Sequence, residues 1–186
     1  MKKTNKLYLK LLLIVSALTL SGCVDYSKYP HIGDEVEVLK FYKVKAESVA
    51  FADTLTIVDQ NGEESTREYN GHFFVEAKIN LKVNNSDDAK PLQLDSNDFK
   101  LKDHVGISKH NKFITIEAFE DYSWCGKTIS KGESFSFTVA FQFKKNVELS
   151  GCTFVLETDF SDYPGNGVDI VLSENAIAFQ QTKGNN

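Results

Sequence analysis

The sequence predicts an all-β sandwich, and three observations carry that prediction. In "HFFVEAKINLKV", Phe73, Val75, Ala77, Ile79, Leu81 and Val83 fall on one face, and His72, Phe74, Glu76, Lys78, Asn80 and Lys82 on the other. In "ESFSFTVAFQF", Phe135, Phe137, Val139, Phe141 and Phe143 alternate with Ser134, Ser136, Thr138, Ala140 and Gln142. Period-two alternation suits a strand with one face in a core and one in water, whereas an amphipathic helix repeats at spacings of three and four. Third, further strand-like runs recur at intervals of roughly ten residues without a convincing helix among them, the spacing expected of sandwiches.

Taken in order from Asp34, "DEVEVLKFYKV" and "SVAFADTLTIV" read as early strands, with "DQNG" at 59–62 as a turn. The first alternating run follows, then a polar loop, "NNSDDAK" at 84–90, before Pro91. "PLQL" and "DFKLKD" read as short strands, followed by a turn near Gly106 and a strand around "KFITIEAF". The second alternating run places Phe135–Phe143 in the core. This is the reading favoured for the 14 phenylalanines over a greasy ligand pocket. "CTFVLETDF" and "VDIVLSENAIAF" close the domain, separated by the turn-rich "SDYPGNG".

The first 33 residues read differently. Lys2, Lys3, Lys6 and Lys10 form a basic leader without an acid, and "LLLIVSALTL" at 11–20 is apolar. That run is only about half the roughly 20 residues a membrane-spanning helix needs. A basic start, a short apolar run and small residues at a cut site describe a secretory signal peptide. The sequence Leu20, Ser21, Gly22, Cys23 resembles the lipobox of bacterial lipoproteins. The resemblance implies a signal peptide over 1–22, cleavage between Gly22 and Cys23, and lipidation of Cys23 as the first mature residue. A thiolate is a nucleophile soft enough to take a diacylglyceryl group as a stable thioether. Two or more acyl chains, each contributing about 0.8 kcal/mol per buried methylene, hold a membrane stably. Residues 24–33, "VDYSKYPHIG", carry Pro30 and Gly33 without periodicity and read as a tether, leaving 34–186 as one domain.

Removal of the leader takes four lysines and no acid, so the net charge moves from −5 to −9. Such a domain repels nucleic acid and anionic headgroups, and no basic patch with interleaved aromatics argues otherwise. The expected membrane partner is therefore reached through the diacylglyceryl group on Cys23. Arg67 is the single arginine against 20 lysines, a bias that suggests an AT-rich genome, and Val24 offers no inner-membrane retention signal. Both favour the outer face of a Gram-positive cytoplasmic membrane.

A wider resemblance covers roughly residues 34–172. The strand ending in Asn84-Asn85, the Lys90-Pro91 pair, "DFKLKD" at 98–103 leading to Gly106, and Gly132-Glu133 opening an alternating strand are similar to a family of bacterial surface lipoproteins of unknown function. The resemblance implies an immunoglobulin-like, telokin-like two-sheet antiparallel β-sandwich, akin to an immunoprotective secreted antigen domain. It brings no catalytic motif and no cofactor. The chain departs from that pattern in "EDYSWCG" and in the pair Cys125 and Cys152.

Outside the cytoplasm an even pair of cysteines is a disulfide candidate. A Cys125–Cys152 bond would close a loop of under about 30 residues and contribute about 3–4 kcal/mol in the chain-entropy account. Two thiols, or redox or metal chemistry, are the alternatives, although no C-x-x-C arrangement lowers either pKa. His104 and His110 with Asp103 match no zinc spacing. "DQNGEE" lacks the ligand order of a calcium loop. Serines, histidines and aspartates are present without a G-x-S-x-G context. No metal site and no enzyme is expected.

Two loops draw attention instead. "AFEDYSWCG" at 118–126 holds Tyr122 and the sole tryptophan, Trp124, beside an acidic pair, and "SDYPGNGVD" at 161–169 holds Tyr163. Exposed loop aromatics near charges are typical contact residues, and sandwich loops carry binding. For Trp124 the favoured reading is a buried plug beside the disulfide. Three functions follow: a tethered module binding a protein or envelope polymer through these loops, a carrier with an apolar cavity between its sheets, or an enzyme with a cleft of perturbed pKa values.

Overall fold

The computed structural model describes residues 26–58, 63–103, 115–117, 124–147, 149 and 152–173. The two alternating runs become its longest ladder. β5 (His72–Val83) and β10 (Ser134–Lys144) pair antiparallel along their whole length, from Lys82 opposite Ser134 to His72 opposite Lys144. β2 (Tyr42–Ala52) pairs with the other edge of β5, with a register shift between Ala46 and Ser48, and β1 (Val36–Val38) pairs with β2. The first sheet thus has the order β1-β2-β5-β10.

The second sheet has the order β12-β11-β7-β8, from β7 (Phe99–Asp103), β8 (Thr115–Glu117), β11 (Phe154–Thr158) and β12 (Val168–Ser173). Every strand pairing is antiparallel. The core lies between the sheets. Val75, Ala77, Ile79, Leu81 and Val83 of β5 and Phe137, Val139, Phe141 and Phe143 of β10 share one cluster with Phe99, Leu101, Phe154, Leu156, Ile170 and Leu172 of the second sheet. Aromatic rings interlock there: Phe73 stacks on Phe143 with centroids 5.3 Å apart, and Phe99 meets Phe137 and Phe160 edge-on. The all-β sandwich expected from the alternation is the fold observed.

Three local expectations are corrected. "DEVEVLKFYKV" is not one strand but β1, a tight turn and the start of β2. Phe74 and Ala140, placed on the water face by their parity, are buried. β3 (Thr54–Val58) and β4 (Glu64–Glu68) form a hairpin whose Leu55 and Ile57, with Tyr69, cover them in a second small cluster. The turn expected at 59–62 within that hairpin lies outside the described residues. Finally, residues 26–33 are not a loose tether. Tyr26–Lys28 form a 3-10 turn, Val171 N–H donates to Pro30 O at 2.8 Å, and Ile32 N–H donates to Val171 O at 3.2 Å. His31 is thereby docked parallel to β12. A single bridge needs no alternating pattern, so the sequence carries no sign of it.

Short pieces complete the fold. β6 (Leu92–Gln93) pairs with β9 (Thr128–Ile129), and a 3-10 turn at Ser96–Asp98 leads into β7. Gly167 sits where β12 begins, and a Cβ there would lie 2.3 Å from Thr158 O. The close approach of β11 and β12 therefore requires glycine at this position.

Candidate functional site

One end of the sandwich gathers the β1–β2 turn, the segment 84–91, the turn at 131–132 and the segment 159–167. Tyrosines hold it together. Tyr42 is buried in the core and its hydroxyl donates to Asn166 O at 2.7 Å. Tyr163 stacks on Phe41 with centroids 4.7 Å apart. The Tyr163 hydroxyl donates to Lys90 O at 2.9 Å and accepts from Lys90 N–H at 2.5 Å. One phenol thus satisfies both backbone groups of a residue 73 positions away. Burial, with the negative field of Asp159, pushes the Tyr42 phenol well above the ordinary range, so it remains a donor.

Asp98 performs the same service with a carboxylate. It is buried, and its side chain accepts from Asp95 N–H at 2.7 Å and Ser161 N–H at 3.3 Å. Its own carbonyl accepts from Asp159 N–H at 2.9 Å. Burial raises its pKa to about 6 against the lowering effect of those two N–H donors, and neighbouring Asp95 and Asp162 add to the rise. In the sequence Asp98 stands out only as the first residue of "DFKLKD". Its role depends on a segment about sixty residues later.

The β1–β2 turn is exposed at this end. Leu39 has φ +48° and Lys40 φ +66°, both left-handed. Phe41 N–H closes the turn on Val38 O at 2.8 Å, Asn84 N–H donates to Phe41 O at 2.8 Å, and Ser86 Oγ donates to Lys40 O at 3.0 Å. A turn with two left-handed central residues is the form that favours Asn-Gly. Placing Leu-Lys there costs roughly 1–2 kcal/mol per residue. Leu39 is nevertheless 63% exposed, the large apolar side chain left in water among the described residues. Strain of this kind persists where surrounding structure over-determines it, and it marks functional positions. The sequence did hold a sign of it: Val36, Val38, Tyr42, Val44 and Ala46 keep one parity, and Lys40 breaks it.

Beside the turn lies an open polar groove of about 610 Å³, lined by Glu37, Lys40, Lys82, Asn84, Ser86 and Gly132 among others. Asn84 Nδ2 donates to Glu37 Oε1 at 3.3 Å, and Lys131 Nζ reaches the carbonyls of Ser86 and Asp87 at 3.1 and 3.2 Å. Lys43 pairs with Glu35 at 2.8 Å, which lowers the Glu35 pKa and raises that of Lys43. A second open groove, about 540 Å³, runs where the docked N-terminal segment meets β12, between Tyr29, Pro30, Gly165 and Val168. In its wall Lys102 contacts Glu157 and lies 3.8 Å from Asp169. Among the described residues, no group of three or more His, Cys, Asp or Glu side chains could hold a metal ion. This end offers amides, charges of both signs and one apolar knob, a chemistry of contact.

Of the two described loop aromatics, Tyr163 departs from the contact reading and Trp124 keeps the favoured reading of a buried plug. Tyr163 is 5% exposed and serves as a clamp, not a contact residue. Trp124 is the plug: it is 3% exposed, meets Phe99 edge-on at 5.4 Å, and donates Nε1–H to Thr138 O at 2.8 Å. Both rings turn inward because each polar atom finds a backbone partner there, which removes the penalty of burying it. Cys125 is half-buried and Cys152 buried, and no disulfide joins them. The ladder gives the reason. Cys125 adjoins Gly126, whose N–H donates to Leu94 O near the Phe99 end of β7, whereas Cys152 precedes Phe154, which pairs with Asp103 at the other end. Four residue steps of strand separate those ends by roughly 13 Å, and a disulfide needs Cα atoms within about 7 Å. Tyr122, His104, His110, Gly22 and Cys23 lie outside the described residues, as does the side chain of Asp103.

Comparison with solved structures finds an uncharacterized β-sandwich protein from Clostridium difficile 630, with TM-score 0.50 and 11% identity over 78% of this chain and 95% of that one. A "putative lipoprotein" from Staphylococcus aureus subsp. aureus NCTC 8325 is also found, with TM-score 0.32 and 12% identity over 75% of this chain and 88% of that one. A search of curated proteins finds no match. The first likeness supports the β-sandwich assignment. A family model described as a domain of unknown function, DUF4352, matches residues 31–163, beginning at the docked His31 and ending at the Tyr163 clamp, and the chain belongs to that family.

Proposed function

We propose that the protein is an extracytoplasmic lipoprotein, tethered through a diacylglyceryl group on Cys23 to the outer face of a Gram-positive cytoplasmic membrane. Its sandwich, of immunoglobulin-like and telokin-like kind, works as a non-catalytic interaction module. The basic leader, the short apolar run and Leu20-Ser21-Gly22-Cys23 support the tether. The observation that carries the module is Leu39, 63% exposed in a left-handed turn beside a polar groove. Clamped loops on a rigid sandwich are a common platform for contact.

The test is photo-crosslinking in intact cells, with a benzophenone side chain placed at Leu39 or at exposed Thr66 on β4. Adducts, protein or lipid, formed from position 39 and not from position 66 support the reading. Equal labelling from both positions, or none from 39, overturns it.

A further inference from the structure

Three features at the Leu39 end converge on one partner. The first is the path of the chain. Residues 30–32 run parallel to β12, through Val171 N–H to Pro30 O and Ile32 N–H to Val171 O. Tyr29 lies beside Gly165, Gly167 and Val168, where β12 begins. Val168 pairs with Thr158, which pairs with Phe99, and Phe99 packs on Phe160. Phe160 in turn touches Tyr42, at the foot of the Leu39 turn. The chain therefore enters the domain at the same end as that turn. Cys23 is three residues before Tyr26, a reach of at most about 11 Å.

The second feature is the tip itself. Leu39 is an apolar knob followed by Lys40, a cation on a long apolar stem. A bilayer interface takes that pair directly, leucine at the acyl boundary and ammonium among the phosphates. Lys131, also exposed, stands on the neighbouring turn. The third feature is the entry segment, where Tyr26 and Tyr29 sit with ring centroids 6.3 Å apart. Tyrosine is enriched at the headgroup level.

We infer that the Leu39 end is a second membrane contact: the lipidated domain stands on the bilayer with Leu39 inserted at the phospholipid interface, and the Asn70 end points outward. The inference rests on the tether reading above and names the partner of that same end. The net charge of −9 on the tether reading, with Glu37, Asp87 and Asp88 exposed at this end too, disfavours anionic headgroups, so attachment combines the acyl chains with one local apolar insertion into a zwitterionic interface. The left-handed turn fixes the orientation, because it presents Leu39 away from the core instead of letting it fold onto the sheet.

The experiment uses the Cys23-lipidated protein reconstituted into phosphatidylcholine vesicles with and without dibrominated chains. Leu39→Trp and Lys131→Trp report the proposed contact end, and Asn70→Trp reports the opposite end. Native Trp124 is a constant background, being 3% exposed in the core. The expected result is a blue-shifted emission and several-fold stronger bromine quenching at position 39 than at position 70, with position 131 intermediate. Flotation with vesicles but equal quenching at 39 and 70 overturns the orientation while leaving the tether intact. Flotation with no quenching at 39 and 131 overturns it in favour of a protein contact at this end. Failure of the protein to float removes the tether reading and the inference with it.

Discussion

Tyr163→Phe removes a single oxygen, yet the structure assigns that oxygen two partners. Its loss strands the N–H and the C=O of Lys90, which it accepts from at 2.5 Å and donates to at 2.9 Å. An unsatisfied buried backbone group costs about 1–3 kcal/mol, against about 1 kcal/mol for a typical net hydrogen bond. Lys90 itself is exposed, so water can recover part of the loss. The expected destabilisation is on the order of 2–3 kcal/mol. Tyr42→Phe is the internal standard, since its hydroxyl makes one bond, to Asn166 O, and should cost about 1–1.5 kcal/mol. Urea unfolding at neutral pH measures both, with the midpoint reporting stability and an unchanged m-value confirming that the unfolding reaction is the same. The stacking of ring 163 on Phe41 survives the substitution, which isolates the polar contribution. If Tyr163→Phe costs no more than Tyr42→Phe, the hydroxyl does not close the Lys90 segment, and the account of this end as a clamped platform is wrong.

Asp98 gives a pH signature. Its folded pKa of about 6 lies above the ordinary 3.8, so its contribution to stability is complete below pH about 4 and is lost as pH rises through 6. Relative to Asp98→Asn, the native protein should gain on the order of 1–2 kcal/mol between pH 7 and 4 after solvent screening, and parallel stability curves would refute this. Leu39→Asn with Lys40→Gly should raise stability by about 1–2 kcal/mol by relieving two left-handed side-chain-bearing residues, read as a higher urea midpoint. Gly167→Ala forces a Cβ to within 2.3 Å of Thr158 O and should cost more than about 2 kcal/mol, seen as a lowered thermal midpoint.

What the sequence discloses here follows from range. β5 and β10 were legible because each is long enough to repeat its alternation, and their ladder is in register over every residue. β7 and β11 emerge close to the runs that suggest them. Phe74 breaks the rule only because the hairpin bearing Leu55 and Ile57 folds over it, and nothing within β5 announces that cover. Tyr163 looks like a surface aromatic in a polar, turn-rich segment, and the burial expected of Trp124 has no local pattern to aim it. Their inward direction depends on Thr138 O and Lys90, partners that no local pattern predicts. Residues 26–33 look like a linker because a lone parallel bridge leaves no periodicity. At the candidate site, the Leu39 turn lacks Gly, Asn and Asp, so turn chemistry misses it. Only the interrupted parity at Lys40 betrays it.

The docking of His31 against β12 shortens the leash. With residues 26–33 held on the domain, at most about 1 nm of chain separates Cys23 from Tyr26, where eleven extended residues would allow nearly 4 nm. The longest strand, twelve residues, spans roughly 4 nm. On the tether reading the strands of the sandwich then stay within about 5 nm of the membrane. The domain searches in two dimensions, and it can engage only what enters that layer.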